Sequence, residues 1–240
     1  MKSENRRSQT PDAGTLVCFA LAEEAAPFRK RIKNRRDISV LITGMGQQNA
    51  RAALDRVLAA ALGSRHRQTA GSSPNDTLTS ATTVFTCGFA GGLNPALAPG
   101  DVLFETTDDV LRKKLRTAGA KPAKFHCSAR IAVTAAEKAE LRRITSADAV
   151  EMESGVIHTL CHERGLVVAT VRVISDTAAE DLPLDFNQFT HPDLRLDYWK
   201  LAGVLARSPG TIIPLLRLHK KCRRAAERLA LVLETALRQS

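Results

Sequence analysis

Short apolar runs of strand length alternate along this sequence with stretches that have the length and composition of helices. The runs lie at residues 15–20, 38–43, 84–87, 101–105, 129–133 and 166–174, and another short run leads into residues 149–155. Strands that alternate with helices predict an α/β fold, in which helices flank a mostly parallel or mixed central sheet. A chain of 240 residues is long enough for one such core. We therefore predict a single domain over residues 14–240, preceded by a flexible arm at residues 1–13.

The helices and loops are predicted from periodicity, capping signals and composition. The first predicted helix ends near residue 31, and five further helices are predicted at residues 48–62, 134–143, 154–164, 194–205 and 212–237. Loops are predicted at residues 63–80 and 182–192. Thr134 and Glu137 have the spacing of a capping box. The second loop carries Phe186 and Phe189, and we expect it to cap a ligand crevice. Residues 106–128 carry charge without clear periodicity and predict no element.

Acidic residues stand where three predicted strands end. Glu24 follows the first strand, Glu151 and Glu153 follow the run that precedes the helix at residue 154, and Asp176 follows the last strand. Ligands of open α/β sheets bind outside the carboxyl ends of the strands, so we expect these acids to share one crevice. In an extended segment, Glu151 and Glu153 point to one face and Met152 to the other. A solvated first turn of a helix explains the two glutamates equally well.

Two glycine-containing turns follow predicted strands. Gly44 and Gly46 precede a predicted helix, an arrangement typical of anion sites at helix N-termini. The dinucleotide fingerprint is incomplete there, because Asn49 stands where its last glycine would be. A second glycine-rich stretch, residues 88–93, would let the backbone approach a ligand closely.

The chain lacks several common catalytic motifs. There is no Gly-x-Ser-x-Gly elbow and no Walker sequence, and His158, Cys161 and His162, which share one predicted helical face, have no evident fourth metal ligand. This argues against serine hydrolysis, ATP use and metal catalysis. Clustered acids instead favour acid-assisted cleavage of a bond whose transition state carries positive charge. The five scattered cysteines indicate a reducing compartment, and we expect a cytoplasmic protein.

Six ordered segments carry a family resemblance. They are residues 22–24, 43–50, 87–93, 100–102, 150–153 and 171–176. In this order they resemble the nucleoside phosphorylase and nucleosidase superfamily, with a general likeness to methylthioadenosine/adenosylhomocysteine nucleosidase. The short segment at residues 105–129, the segment at 176–186 and the basic tail at 198–224 are more similar to the hopanoid-associated phosphorylase branch. That branch removes adenine from adenosylhopane in bacterial hopanoid synthesis.

The resemblance implies a nucleoside phosphorylase type of fold and cleavage of the N-glycosidic bond of an adenosine derivative, with adenosylhopane as the expected substrate. Asp176 matches the acid that protonates N7 of the purine, and Glu24 matches the residue that activates the attacking water. Glu153 matches the carboxylate that holds the ribose hydroxyls, and Met152 the thioether against the sugar. We place Glu151 with them in the substrate site.

Further positions are carried over from the same resemblance. Gly44, with Gly46 and the following helix, matches the phosphate-binding turn of phosphorylases. Gly88, Phe89 and Ala90 match the strip that borders base and sugar. Phe89 replaces the serine that is usual in nucleosidases, which favours an apolar pocket and a bulky 5′ substituent, although core packing explains a phenylalanine almost as well. Arg172 is expected either to orient Asp176 or to form a structural ion pair.

The resemblance implies no metal and no organic cofactor, with phosphate as a candidate co-substrate. Whether water or phosphate attacks stays open, because Glu24 and the Gly44 turn supply parts of both sites. At least a homodimer is also implied. The enzyme alternatives are a methylthioadenosine/adenosylhomocysteine nucleosidase and a general purine nucleoside phosphorylase. The non-enzyme alternative is a module that binds nucleosides or nucleic acid.

The net charge of +10 is concentrated at the carboxyl end, where residues 195–240 contain ten basic and three acidic residues. Such a tail predicts either an amphipathic helix that contacts an anionic membrane or a packed helix with its charges in water. Only 4% of the residues are aromatic, so we expect no nucleic-acid partner.

Overall fold

The computed structural model describes residues 14–68, 83–189 and 209–238. The strands are β1 (Thr15–Phe19), β2 (Ile38–Ile42), β3 (Thr83–Gly92), β4 (Val102–Thr106), β5 (Lys121–Pro122), β6 (Phe125–Cys127), β7 (Ala149–Glu151) and β8 (Val167–Asp176). The helices are α1 (Ala22–Arg31), α2 (Gln47–Gln68), α3 (Asp109–Thr117), α4 (Ala135–Thr145), α5 (Ser154–Glu163) and α6 (Ile212–Arg238). Short 3₁₀ turns occupy Phe186–Phe189 and Pro209–Thr211.

These strands form one mixed sheet in the order β2-β1-β3-β8-β4-β5. Strand β1 pairs in parallel with β2 and β3, and β3 pairs in parallel with β8. Strand β4 is antiparallel to β8. Beyond the end of β1, the last residues of β3 pair with β7, where Gly91 lies opposite Val150. This mixed sheet with flanking helices confirms the predicted α/β class.

Apolar side chains on both faces of the sheet bury the two long central strands. On one face, Phe28 of α1, Leu115 of α3 and Leu233 of α6 pack in one core cluster. On the other face, Leu54 of α2 and Leu160 of α5 pack in a second cluster. Because strands covered on both faces are mostly apolar, β8 reads as an apolar run that is interrupted by Thr170 and Arg172 and ends in Ser175 and Asp176.

Several predicted boundaries were wrong. Helix α2 continues to Gln68 through Gly63, since a helix tolerates an interior glycine at a cost of about 1 kcal/mol. Residues 129–133 are not a strand; the strand in this region is β6, which pairs with β7. Strand β3 also continues through its glycines to Gly92.

The segment without clear periodicity contains a helix that the sequence analysis missed. Helix α3 begins where the Asp108 carboxylate accepts a hydrogen bond from the backbone N–H of Leu111 at 2.7 Å. Leu111 and Leu115 are its buried residues, so its apolar stripe is only one residue wide and is hard to see among charged neighbours.

Some predictions lie outside the described residues, namely the arm at 1–13, the loop beyond residue 68 and the helix at 194–205. The last predicted helix is confirmed as α6, and the predicted capping box is present, because Thr134 accepts from the N–H of Glu137. Within the described parts of the chain, none of the helices is long and apolar enough to cross a membrane.

Candidate active site

A pocket of about 300 Å³ lies at the carboxyl ends of β1, β3 and β8. The predicted site residues that line it are Glu24, Phe89, Ala90, Glu151, Met152, Glu153 and Asp176. They come from separate parts of the fold: the first turn of α1, strand β3, the β7–α5 junction and the last residue of β8. The fold therefore brings together acids that are more than 150 residues apart in the sequence.

Arg172 is a buried cation beside this pocket, with a side chain that is 1% exposed. Its Nη2 lies 2.5 Å from Glu151 Oε2 and 3.2 Å from Glu153 Oε2. Glu151 also accepts hydrogen bonds from the hydroxyl and the backbone N–H of Ser154. Arg172 was expected either to orient Asp176 or to form a structural ion pair. In the structure it forms the ion pair, and a different residue contacts Asp176.

Gly88 has no side chain, which leaves room for the charged groups of Arg172 and Glu24 beside the backbone of β3. A Cβ built on Gly88 would stand 2.7 Å from Arg172 Nη1 and 2.9 Å from Glu24 Oε1. Its φ of +151° is also one that other residues rarely adopt. Any side chain at this position would displace either the guanidinium or the carboxylate.

One buried cation faces three buried carboxylates, and their pKa values diverge. Burial raises the pKa of Glu24 to about 7, although the backbone N–H groups of Phe89 and Leu21 donate to it. Burial also raises the pKa of Glu153, against the opposing charge of Arg172. Burial acts in the same direction on Glu151, but Arg172 and the hydrogen bonds of Ser154 outweigh it and hold that pKa below its usual range. Glu24 therefore titrates near neutral pH, as a general base should.

Asp176 is held by two side chains. The Lys138 ammonium on α4 donates to Asp176 Oδ2 at 2.5 Å, and the Ser175 hydroxyl donates to Oδ1 at 2.6 Å. Lys138, which is 0% exposed, was not predicted as a site residue. The only available signal was its position four residues after the cap Thr134, and that spacing does not distinguish a buried lysine from a surface lysine.

The glycine turn before α2 positions Glu153. Gly44 and Gly46 both have positive φ angles, +82° and +81°. The backbone N–H of Gly46 donates to Glu153 Oε1 at 2.9 Å. The amide expected to bind phosphate is therefore engaged by a carboxylate in this structure, while Gly44 lines an adjoining groove.

That groove, of about 870 Å³, continues from the pocket between α2 and α6. Both share a lining of Leu21, Met45, Phe89, Phe186, Leu218 and Cys222. Phe186 lies in the loop that was expected to cap the crevice; the side chain of Phe189 is outside the described part. Phe89 lines both spaces, so it is a wall of the site and not only a core residue.

Comparisons with known proteins agree with this architecture. Residues 105–195 match the family model described as the Phosphorylase superfamily. Futalosine hydrolase of Helicobacter pylori superposes with a TM-score of 0.66 at 14% identity, covering 95% of this chain and 99% of that one. The chain has the nucleosidase fold. Comparison with curated protein sequences found no match.

Two further structures share the nucleosidase fold. The 5′-methylthioadenosine/S-adenosylhomocysteine nucleosidase of Helicobacter pylori has a TM-score of 0.66 at 14% identity, covering 96% of this chain and all of the other. That of Neisseria meningitidis, in complex with methylthio-immucillin-A, has a TM-score of 0.64 at 18% identity and covers 95% of this chain and 100% of the other. At these identities the likeness establishes the fold, and the chemistry must be argued from the site.

Among the described residues, no group of three or more His, Cys, Asp and Glu side chains is arranged to hold a metal ion. His158 instead contacts the hydroxyl of Thr170 at 2.8 Å, and Cys161 is buried in the core.

Proposed function

We propose that this protein cleaves the N-glycosidic bond of an adenosine derivative and releases adenine. The observation that carries the proposal is that Glu24, Glu153 and Asp176, from three separate elements, line one mostly apolar pocket. Such cleavage passes through an oxocarbenium-like transition state, which carboxylates stabilise in a water-poor site. Two of the structurally similar proteins are nucleosidases of 5′-methylthioadenosine, which supports the same class of substrate.

Each acid then has a distinct role. Asp176 gives a proton to N7 of the base as the bond between C1′ and N9 breaks, and the bonding electrons leave with the base. Glu153 accepts hydrogen bonds from the ribose hydroxyls, and Met152 lies against the sugar. Glu24 takes a proton from the attacking water. Glu151 holds Arg172 in place, because its oxygens already accept hydrogen bonds from Arg172 and Ser154.

We propose water as the nucleophile. The Glu24 carboxylate is fixed by two backbone N–H groups, each at 3.0 Å, and its pKa of about 7 suits a general base. The Gly46 amide, which a phosphate would need, donates to Glu153. Phosphorolysis is the second candidate, because the N-terminus of α2 borders the groove beside Gly44.

The groove beside the pocket supports adenosylhopane as the substrate. Its volume of about 870 Å³ far exceeds what a methylthio group occupies. Leu21, Met45, Phe89, Phe186 and Leu218 supply apolar lining, and Glu23, Arg56 and Arg223 supply charged lining. A long hydrocarbon at C5′ would bury its surface there, at about 25 cal/mol per Å².

We propose that the enzyme is cytoplasmic and at least a homodimer. We also propose that the exposed first turns of α6 bring it to an anionic membrane surface. Ile212, Ile213 and Leu216 are 41%, 60% and 62% exposed there. Arg217 and Lys220 are exposed in the same turns. Lys221 does not contribute to this face, because it pairs with Glu180.

The proposal predicts that the purified protein releases adenine from adenosylhopane with kcat/KM about 100-fold above that for methylthioadenosine or adenosine. The rate should be the same with and without phosphate, and the second product should be a free ribosyl compound. Chromatography of both products measures this.

Other outcomes of this assay separate the alternatives. Release mainly from methylthioadenosine would assign the protein to the small-substrate nucleosidases. A sugar phosphate product would establish phosphorolysis. No release from any of the three compounds would refute catalysis and favour a binding module.

The raised pKa of Glu24 predicts the acid side of the pH profile. Glu24 must be ionised to accept a proton from water, so kcat/KM should rise about tenfold between pH 6 and pH 8. The residual rate of the Glu24→Gln protein should lack this rise. Glu105→Gln is the matched control, because burial raises the pKa of that carboxyl too, yet it lies on β4 outside the pocket. A profile that is flat in the wild-type protein would rule out Glu24 as the base.

A further inference from the structure

Lys138 is enclosed where α4 meets the end of β8. Its side chain is 0% exposed, and its Nζ donates to Asp176 Oδ2 at 2.5 Å, to the carbonyl of Thr177 at 2.9 Å and to the carbonyl of Glu180 at 2.7 Å. An ammonium has three N–H groups, so every donor is used. Lysine is rarely buried unless it is paired, and here the pair is with the proposed acid.

These three hydrogen bonds join Asp176 to the segment that follows it. Thr177 and Glu180 begin the loop that reaches Leu182, and Leu182 lines the same pocket as Asp176. Lys138 therefore fixes both the carboxyl group and the adjoining wall. On the other oxygen of Asp176, the Ser175 hydroxyl has a second acceptor, the carbonyl of Ala90 at 3.3 Å, to which it can turn when Oδ1 carries a proton.

We propose that Lys138 is the positioning residue of the catalytic acid, an inference that rests on the proposed function. When N7 takes the proton of Asp176, the O–H electron pair stays on the carboxyl group, and the C1′–N9 electron pair goes to the base. Asp176 thus becomes a carboxylate in a mostly apolar pocket. The ammonium of Lys138 lies against the other oxygen, Oδ2, and a carboxylate shares its charge between both oxygens, so the new charge forms beside a cation and not as an isolated buried anion.

The test compares two leaving groups in the wild-type protein and in Lys138→Met. One substrate carries adenine, and the other carries 4-nitrophenol on the same ribosyl group, because 4-nitrophenolate leaves without a proton donor. For Lys138→Met we expect kcat for adenine release to fall about 100-fold, with KM changed less than about threefold. Release of 4-nitrophenolate should stay within about threefold of wild type.

The matched control is Lys221→Met. Lys221 contacts the same loop through the Glu180 carboxylate at 2.5 Å but does not touch Asp176. This variant should release adenine at the wild-type rate. If Lys138→Met does not give a cooperative thermal transition, Lys138→Gln, which keeps a polar donor, undergoes the same comparison.

Each outcome either supports or overturns the positioning role of Lys138. A selective loss of adenine release supports the positioning role. Equal losses with both leaving groups in a folded variant would show that Lys138 only maintains the structure, and an unchanged rate of adenine release would also overturn the proposal. A wild-type protein that releases 4-nitrophenolate but not adenine would refute adenine release and the acid role of Asp176, whereas failure with both substrates would refute glycosidic cleavage altogether.

Discussion

Asp176→Asn should lower kcat for adenine release about 1000-fold while the protein stays folded. Asparagine has the shape of aspartate, and its carbonyl oxygen can still accept the hydrogen bond of Lys138. Its amide can contact N7 but has no acidic proton to transfer. Adenine would then leave as a poorly stabilised anion, and the barrier would rise by about 4 kcal/mol. Single-turnover kinetics with excess enzyme would measure the chemical step directly.

The chain offers a matched control for this substitution. Asp101 also pairs with a lysine, since its Oδ1 lies 2.7 Å from Lys121 Nζ, but Asp101 does not line the pocket. Asp101→Asn should therefore keep the wild-type rate. If Asp176→Asn were to turn over adenosylhopane within about tenfold of wild type, Asp176 would not be the general acid.

The α/β architecture could be predicted from the sequence because periodicity is a local signal. The runs that became β1, β2 and β8 are mostly apolar, as is typical of strands that pack against helices. Strand β6 was missed because it is three residues long and half-buried, and only its pairing with β7 makes it a strand. Local pattern carries no information about such pairing.

The candidate site could be predicted only in part, for a related reason. Acids after apolar strands indicate a crevice by topology alone, and Glu24, Glu153 and Asp176 indeed line one pocket. The cations that face them could not be assigned. Arg172 was four residues from Asp176 in sequence, yet along a strand its side chain reaches Glu151 and Glu153 instead. Lys138 comes from a helix whose packing depends on the whole fold.

The acids could therefore be predicted from the sequence, but the cations that pair with them could not. The sequence positions of the acids follow from where strands end, whereas the identity of each partner depends on which helix packs across the strand end. The two cations of the site differ in the number of carboxylates that they face. Lys138 faces one carboxylate, whereas Arg172 faces three; burial raises the pKa values of Glu24 and Glu153, and the charge of Arg172 opposes that rise without cancelling it. Removal of Arg172 should therefore lower the stability of the protein as well as its activity.

Arg172→Met should lower the free energy of unfolding by about 3–5 kcal/mol at pH 8, because it removes the buried cation and leaves the Glu151 carboxylate without its partner. Arg172 is the main group that holds the pKa of Glu151 low, so its removal lets burial raise that pKa, and Glu153, whose pKa burial already raises, loses the same opposing charge. The loss should therefore shrink as the pH falls towards 5, where the carboxylates are neutralised. Urea unfolding at both pH values measures this.

Two comparisons make the Arg172 result specific. Arg143→Met removes an arginine that also pairs with a glutamate, Glu140, but on the surface, with the arginine 71% exposed; it should leave the unfolding free energy unchanged. Adding Glu151→Gln to Arg172→Met should recover at least about half of the lost stability, since the unpaired charge is removed with its partner. If the single and double variants were equally unstable, the loss would come from packing around Arg172 and not from an uncompensated carboxylate.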